Sequence, residues 1–170
     1  MTVTVTLDSL AKTRAAGLAL GRALPPRAVL LLQGEMGSGK TTLAKSICEA
    51  LGVDPKTVIS PTYTLANVYP RRAGEAGGTV YHVDLYRLRG GDALLELDPD
   101  DWMNPDGITL IEWPEAALPL LAGVPALALS LAHAGPECRT IEASAPHTIY
   151  APALDALRAL RGSAGPERHS

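Results

Sequence analysis

The chain has 170 residues and a formal net charge of −3, a length that suits one domain with a real core and a charge that argues against broad, sequence-blind binding of nucleic acid. No apolar stretch approaches the ~20 residues of a membrane span, and Met1-Thr2-Val3-Thr4-Val5 lacks the basic-then-apolar pattern of a signal peptide. Cys48 and Cys138 stand far apart without metal-ligand spacing, so two free thiols in a reducing, cytoplasmic setting are expected, with no membrane partner.

Thr2 to Leu7 alternates threonine with an apolar residue, the period of a strand with one buried face. Asp8 or Ser9 is placed to cap a helix that runs to about Ala23, and Pro25-Pro26 ends it. Ala28 to Gln33 is apolar almost throughout, as a central strand covered on both faces should be. Gly34-Glu35-Met36-Gly37-Ser38-Gly39-Lys40-Thr41 follows at once, and a helix pattern continues to about Leu51, stopped by Gly52.

That octapeptide has the spacing G-x-x-x-x-G-K-[ST] between a strand and a helix, the context in which it cradles phosphate. Gly34, Gly37 and Gly39 are free to take positive φ, so backbone N–H groups close around phosphate oxygens. The helix beginning near Lys40 turns its positive end toward the same anion. In this pattern Lys40 reaches the β- and γ-phosphates, and the Thr41 hydroxyl holds Mg²⁺. A nucleotide-binding α/β domain of the P-loop NTPase type is therefore expected.

Beyond the loop, the segment Ser60-Pro61-Thr62-Tyr63-Thr64-Leu65 occupies the position where nucleotide switches place a threonine that senses the γ-phosphate, which makes Thr62 and Thr64 candidates. Thr64–Tyr69 and Thr79–Asp84 read as two strands joined by the turn-rich 70–78, an antiparallel hairpin added to the sheet, with Arg71 and Arg72 at a solvated tip. An acidic helical region is expected from Asp92 to about Trp102. Gly107 to Ile111 is an apolar strand ending at Glu112. Ala126–Leu131 and Arg139–Ala143 pair across His133-Ala134-Gly135-Pro136, and a last helix spans about Tyr150 to Leu160. The expected architecture is a three-layer domain over residues 1–161, its mixed central sheet having a parallel core and antiparallel hairpin additions. A disordered tail is expected over 162–170.

Hydrolysis or transfer also needs an acid at the metal and a group that orients the nucleophile. Asp84 and Glu112 each end an apolar strand, where ligands gather in open α/β sheets. Spacing does not decide which of them touches Mg²⁺ more directly. His82 reads as a general base or as a hydrogen-bonded packing residue, and Trp113 as a stacking platform or as core. Neither Asn-Lys-x-Asp nor Asp-x-x-Gly occurs where a Ras-like GTPase needs it. A small-molecule kinase is the alternative on residue chemistry alone, and a nucleotide-gated RNA-binding module is a third.

Four segments in this order carry a resemblance: Gly34 to Thr42, Ser60 to Leu65, His82-Val83-Asp84-Leu85-Tyr86-Arg87, and Ile111-Glu112-Trp113-Pro114-Glu115. The chain resembles the TsaE family, the ATPase component of the bacterial machinery that makes threonylcarbamoyladenosine in tRNA, from about residue 5 to residue 145. The resemblance implies ATP with Mg²⁺ held by Gly37, Ser38, Gly39, Lys40, Thr41 and Thr42. It puts Thr41 and Glu112 at the metal, Thr62 and Thr64 in a switch-like loop, and makes Asp84 necessary for hydrolysis. Trp113 is implied to neighbour the nucleotide or a partner surface, while Ser9, Leu10 and Gly135 flank the adenine. It further implies slow hydrolysis in isolation and docking on the threonylcarbamoyl-transferring subunit and its paralogue (TsaD-like and TsaB-like proteins), with tRNA engaged only indirectly.

Overall fold

The computed structural model describes residues 1–61, 64–71, 78–88 and 107–162. The acidic helical region expected from Asp92, the middle of the 70–78 connection, Thr62 and residues 163–170 lie outside them. Seven strands form one sheet: β1 (Thr2–Leu7), β2 (Val29–Gln33), β3 (Ala66–Pro70), β4 (Thr79–Asp84), β5 (Ile108–Glu112), β6 (Ala126–His133) and β7 (Arg139–Ser144). Their spatial order is β1-β7-β6-β2-β5-β4-β3. The central four, β6, β2, β5 and β4, run parallel, while β3, β7 and β1 add antiparallel edges. The expected mixed sheet is thus the observed one.

Alternation along the strands sorts side chains onto two faces. Leu30 and Leu32 of β2, with Val80, Leu110, Leu127 and Leu129, join Leu20, Leu43, Ile47, Leu154 and Leu157 in one buried cluster. Those last five come from α1 (Leu10–Ala23), α2 (Lys40–Ala50) and α3 (Ala151–Ala159), so these three α-helices cover this face. Burying each such Leu or Ile contributes about 1.5–3 kcal/mol. The opposite face of the same strands carries Val29, Leu31, Val83 and Ile111, which pack with Leu85, Leu88, Ala117 and Leu121. Among the described residues the cover there comes from two 3₁₀ turns, Tyr86–Leu88 and Pro114–Ala117, and the residues around them.

Two local devices fix the helices. Ser9 caps α1, its side chain accepting from the Lys12 N–H at 3.2 Å. The buried Tyr150 hydroxyl at the start of α3 accepts from the Val29 N–H at 3.0 Å and lies 3.2 Å and 3.0 Å from the Val29 and Pro125 carbonyl oxygens. The C-terminal helix is thereby tied to the root of the strand that carries the phosphate loop. Arg71 departs from the expected solvated tip: it is half-buried and donates from Nε to the Leu51 carbonyl at 2.7 Å.

Candidate active site

Because β2, β4, β5 and β6 are parallel, their carboxyl ends share one edge of the sheet, and the chemistry-bearing residues collect there. The loop leaving β2 turns through Gly34 (φ 134°), Gly37 (φ 77°) and Gly39 (φ 103°). Gly34 lies so close to β6 that a Cβ built on it would stand 2.2 Å from the Leu131 carbonyl oxygen. Gly39 is the N-cap of α2, and no side chain caps that helix. The N–H groups of its first turn are the donors a phosphate takes up.

Lys40 folds back over the loop. Its Nζ donates to the Gly34 and Glu35 carbonyls at 2.7 Å and 2.8 Å and sits 3.8 Å from the centroid of the Trp113 ring. Trp113 follows β5 in a left-handed conformation (φ 58°) and makes a tilted contact with Tyr86, ring centroids 5.1 Å apart. The strained backbone turns the ring over the loop instead of continuing the strand.

Asp84 and Glu112 are register partners on neighbouring parallel strands, so both carboxylates end on the same face at the same height. Both are buried. Glu112 accepts the Thr41 hydroxyl at 3.1 Å on Oε2 and faces His82 Nε2 at 2.8 Å with Oε1. Asp84 accepts the Tyr86 N–H at 2.9 Å on Oδ1 and the Ser60 hydroxyl at 3.2 Å on Oδ2. His82 is fully buried, as a packing residue would be, yet bonds to the acid.

A cleft of about 410 Å³ joins these parts, lined by Gly37, Gly39, Lys40, Thr41 and Thr42 on the loop side and Ser60, Asp84, Tyr86, Glu112 and Trp113 opposite. A second cleft of about 270 Å³ continues past the loop, sharing Gly37, Gly39 and Thr42 with the first. Its far wall is Leu10 and Thr13 of α1 with Pro136, Glu137 and Arg139 of the β6–β7 turn.

Of the candidates read from the sequence, Gly37, Gly39, Lys40, Thr41, Thr42, Asp84, Glu112 and Trp113 come together around the first cleft, and Leu10 lines the second. Ser9 is spent on its helix cap. Gly135 stands in the β6–β7 turn, its carbonyl accepting from Arg139 Nη1 at 3.1 Å. Thr64 is exposed, its hydroxyl donating to Asn67 Oδ1 at 2.9 Å. Ser60 and Tyr86, which touch Asp84, stand in the same two segments, Ser60–Leu65 and His82–Arg87, as the candidates Thr62, Thr64 and Asp84. Thr13 and Arg139 carry no signal in the sequence.

The residues fit a bound nucleotide and cation. The buried Ser38 Oγ has no hydrogen-bond partner among the described residues, which suits a loop built to surround an anion. Around Gly37 a Cβ would meet nothing within 4 Å, leaving room above the loop. Thr41 and Glu112 supply hard oxygen donors side by side, and no group of three or more His, Cys, Asp or Glu clusters among the described residues. Few protein oxygens with phosphate and water completing the shell is the Mg²⁺ pattern.

A family model described as "Threonylcarbamoyl adenosine biosynthesis protein TsaE" matches residues 7–141. The chain belongs to the TsaE family. Among the proteins similar to it are three named tRNA threonylcarbamoyladenosine biosynthesis protein TsaE. That of Synechocystis sp. is 38% identical over 102 residues, 58% of this chain and 62% of the relative. That of Rickettsia conorii is 34% identical over 116 residues, 68% of this chain and 63% of the relative. That of Mycobacterium leprae is 44% identical over 107 residues, 59% of this chain and 65% of the relative. The chain thus spans somewhat less than two thirds of the length of these TsaE relatives. The crystal structure of Bacillus subtilis YdiB shares the fold, with a TM-score of 0.72 over 94% of this chain and 95% of that one, at 23% identity. The TsaE match takes in the phosphate loop, Asp84 and Glu112, and every residue lining the second cleft.

Proposed function

We propose that this chain hydrolyses ATP with Mg²⁺ as the accessory ATPase of threonylcarbamoyladenosine formation in tRNA. The observation that carries the reading is the convergence of Lys40, Thr41, Asp84 and Glu112 on one cleft beneath the phosphate loop, in a chain of the TsaE family.

Magnesium-bound ATP, when present, supplies the phosphoryl group to be released and the cation that neutralises its charge. The protein contributes positions and charges. Loop N–H groups and the start of α2 bind the phosphate oxygens, and Lys40 adds a point charge from beneath. Thr41 and Glu112 hold their oxygens toward the cation. Asp84, fixed by Tyr86 and Ser60, is placed to orient water and take its proton. Leu10 and Pro136 offer apolar surface to a base in the second cleft. Trp113 and Tyr86 close the loop side against bulk solvent.

Binding and hydrolysis serve a cytoplasmic complex with the threonylcarbamoyl-transferring subunit and its paralogue, TsaD-like and TsaB-like proteins. The net charge of −3 fits a chain that meets tRNA through those partners. The test is tRNA modification reconstituted with both partners. Lys40→Ala and Glu112→Ala, each verified as folded, should abolish formation of the modified nucleoside; full modification by either refutes the site. Partner-independent phosphoryl transfer to a metabolite would instead make the chain a kinase.

A further inference from the structure

Among the buried groups around the cleft, His82 has no part in the chemistry described above. It sits on β4 between Val80 and Asp84, on the face turned toward α2, and its side chain is 0% exposed. Its register neighbours are Leu110 of the buried cluster on β5 and Asn67 on β3. An aliphatic residue would pack there without burying a polar ring. A histidine at such a place has to be satisfied, and it is satisfied at one atom only. Nε2 stands 2.8 Å from Glu112 Oε1, whereas the buried Nδ1 has no hydrogen-bond partner among the described residues.

The one-sided pairing sets where the hydrogen lies. A carboxylate only accepts, so the shared hydrogen belongs to Nε2. A second hydrogen on Nδ1 would be a buried donor with nothing to receive it, the costlier kind of orphan. The hydrogen shared with Glu112 is therefore carried by Nε2. Glu112 is then gripped at both oxygens: Oε1 by the His82 N–H from within the sheet, Oε2 by the Thr41 hydroxyl from α2. One donor would leave the carboxylate free to swivel about that contact; two fix its plane and keep the Thr41-side oxygen turned to the cleft.

We infer that His82 is a positioning residue that sets the orientation of Glu112 for the cation, acting through Nε2 alone. This rests on the proposed place of Glu112 at the metal. The purified full-length chain is titrated by calorimetry with a non-hydrolysable ATP analogue, once with excess Mg²⁺ and once with EDTA, and the ratio of the two affinities measures the coupling to the metal. His82→Leu should lower that ratio about 10- to 100-fold, as loss of a partner behind a metal-side carboxylate does, with the EDTA affinity kept within about twofold. His82→Gln, whose terminal amide nitrogen reaches about as far as Nε2, should restore most of the ratio. His82→Asn, which reaches only as far as the unpartnered Nδ1, should not.

Wild-type coupling in folded His82→Leu overturns the proposal. So does a loss in His82→Gln equal to that in His82→Leu at the same melting temperature. If His82→Leu does not fold, the ¹⁵N spectrum of wild-type His82 decides: a hydrogen on Nε2 supports the role, and a bare Nε2 overturns it. Glu112→Gln is measured alongside. Unchanged coupling in that variant removes Glu112 from the metal and takes the proposal with it. Lost coupling in Glu112→Gln with indifferent His82 variants removes only the role of His82.

Discussion

Replacing Gly34 by alanine should damage both the fold and nucleotide binding, by an amount that the loop geometry lets one work out. The residue has φ 134°, a conformation side chains rarely adopt, and holding a non-glycine residue in such a region costs on the order of 1–3 kcal/mol. The added Cβ would also stand 2.2 Å from the Leu131 carbonyl oxygen, where ordinary contact begins at 3.4 Å. Leu131 is mid-strand backbone, paired in register with Ile141, so the loop must give way, by about 1 Å. A displacement of about 1 Å in a site of this kind costs roughly a hundredfold. A total loss of ~3 kcal/mol would lower the melting temperature by about 6–12 °C in a chain of this size. Gly37→Ala is the control, because it shares the motif and a positive φ of 77° but has nothing within 4 Å of its Cβ. It should lose only the left-handed penalty of about 1–2 kcal/mol. Thermal unfolding and analogue binding, measured on both variants, check the reasoning. Equal losses in the two would refute it, since they would mean that the contact with β6 contributes nothing.

Tyr150→Phe leaves the buried Val29 N–H and the Pro125 carbonyl without the hydroxyl, and should cost about 1–3 kcal/mol in urea unfolding while analogue affinity stays unchanged; a neutral effect on stability would deny the tie. Burial pushes the Cys48 thiol up to about 12 from 9.0, and burial raises the Tyr150 phenol as well. The unfolded chain therefore releases those protons first, so stability should hold below pH 9 and fall as pH rises from 9 toward 12. Cys48→Ala should flatten that fall in pH-dependent urea unfolding, and an unchanged slope would count against the buried thiol. With Trp102 replaced by Phe, fluorescence of Trp113 should change on saturation with a magnesium-bound ATP analogue, because Lys40 lies 3.8 Å from the ring. A constant signal would place the ring outside the reach of the nucleotide.

The parts legible in the sequence are those whose signal is local. Val29 to Leu32 could hardly be anything but a doubly covered strand, and the glycines after it carry their conformational meaning wherever they occur. The Thr-Val alternation of β1 and the proline pair after α1 mark their elements in the same way. Asp84 and Glu112 stand out because each ends an apolar run, which is also a local property. What escaped depends on how distant segments align. The pairing of Asp84 with Glu112 in register is a property of the sheet, and so is the reach of His82 to Glu112 on the neighbouring strand. The stacking of Lys40 on Trp113 requires a left-handed residue after β5 that no spacing announces. The second cleft has one wall from α1 and one from the β6–β7 turn, more than a hundred positions later in the chain, so Thr13 and Arg139 look like ordinary surface residues until the fold brings them together. Thr64 is singled out by its position in the chain, and in this structure its hydroxyl donates to Asn67.

Gly17 and Gly21 let α1 press against α2 so closely that a Cβ on either would fall 2.4 Å from the Ser46 Cβ or 2.6 Å from the Ala50 Cβ. The N-terminal residues of α2 line the cleft under the phosphate loop, and the N-terminal turn of α1 lines the neighbouring one. Two helices meshed at that distance cannot slide without collision, so the gap between the two binding walls is a fixed length. On the proposed reading the pair would act as a caliper, accepting a molecule by the spacing between its flat apolar end and its charged end as much as by the chemistry of either. Bulk added at Gly17 would reset the jaws, and the selectivity of the protein among nucleotides of different length would shift with them.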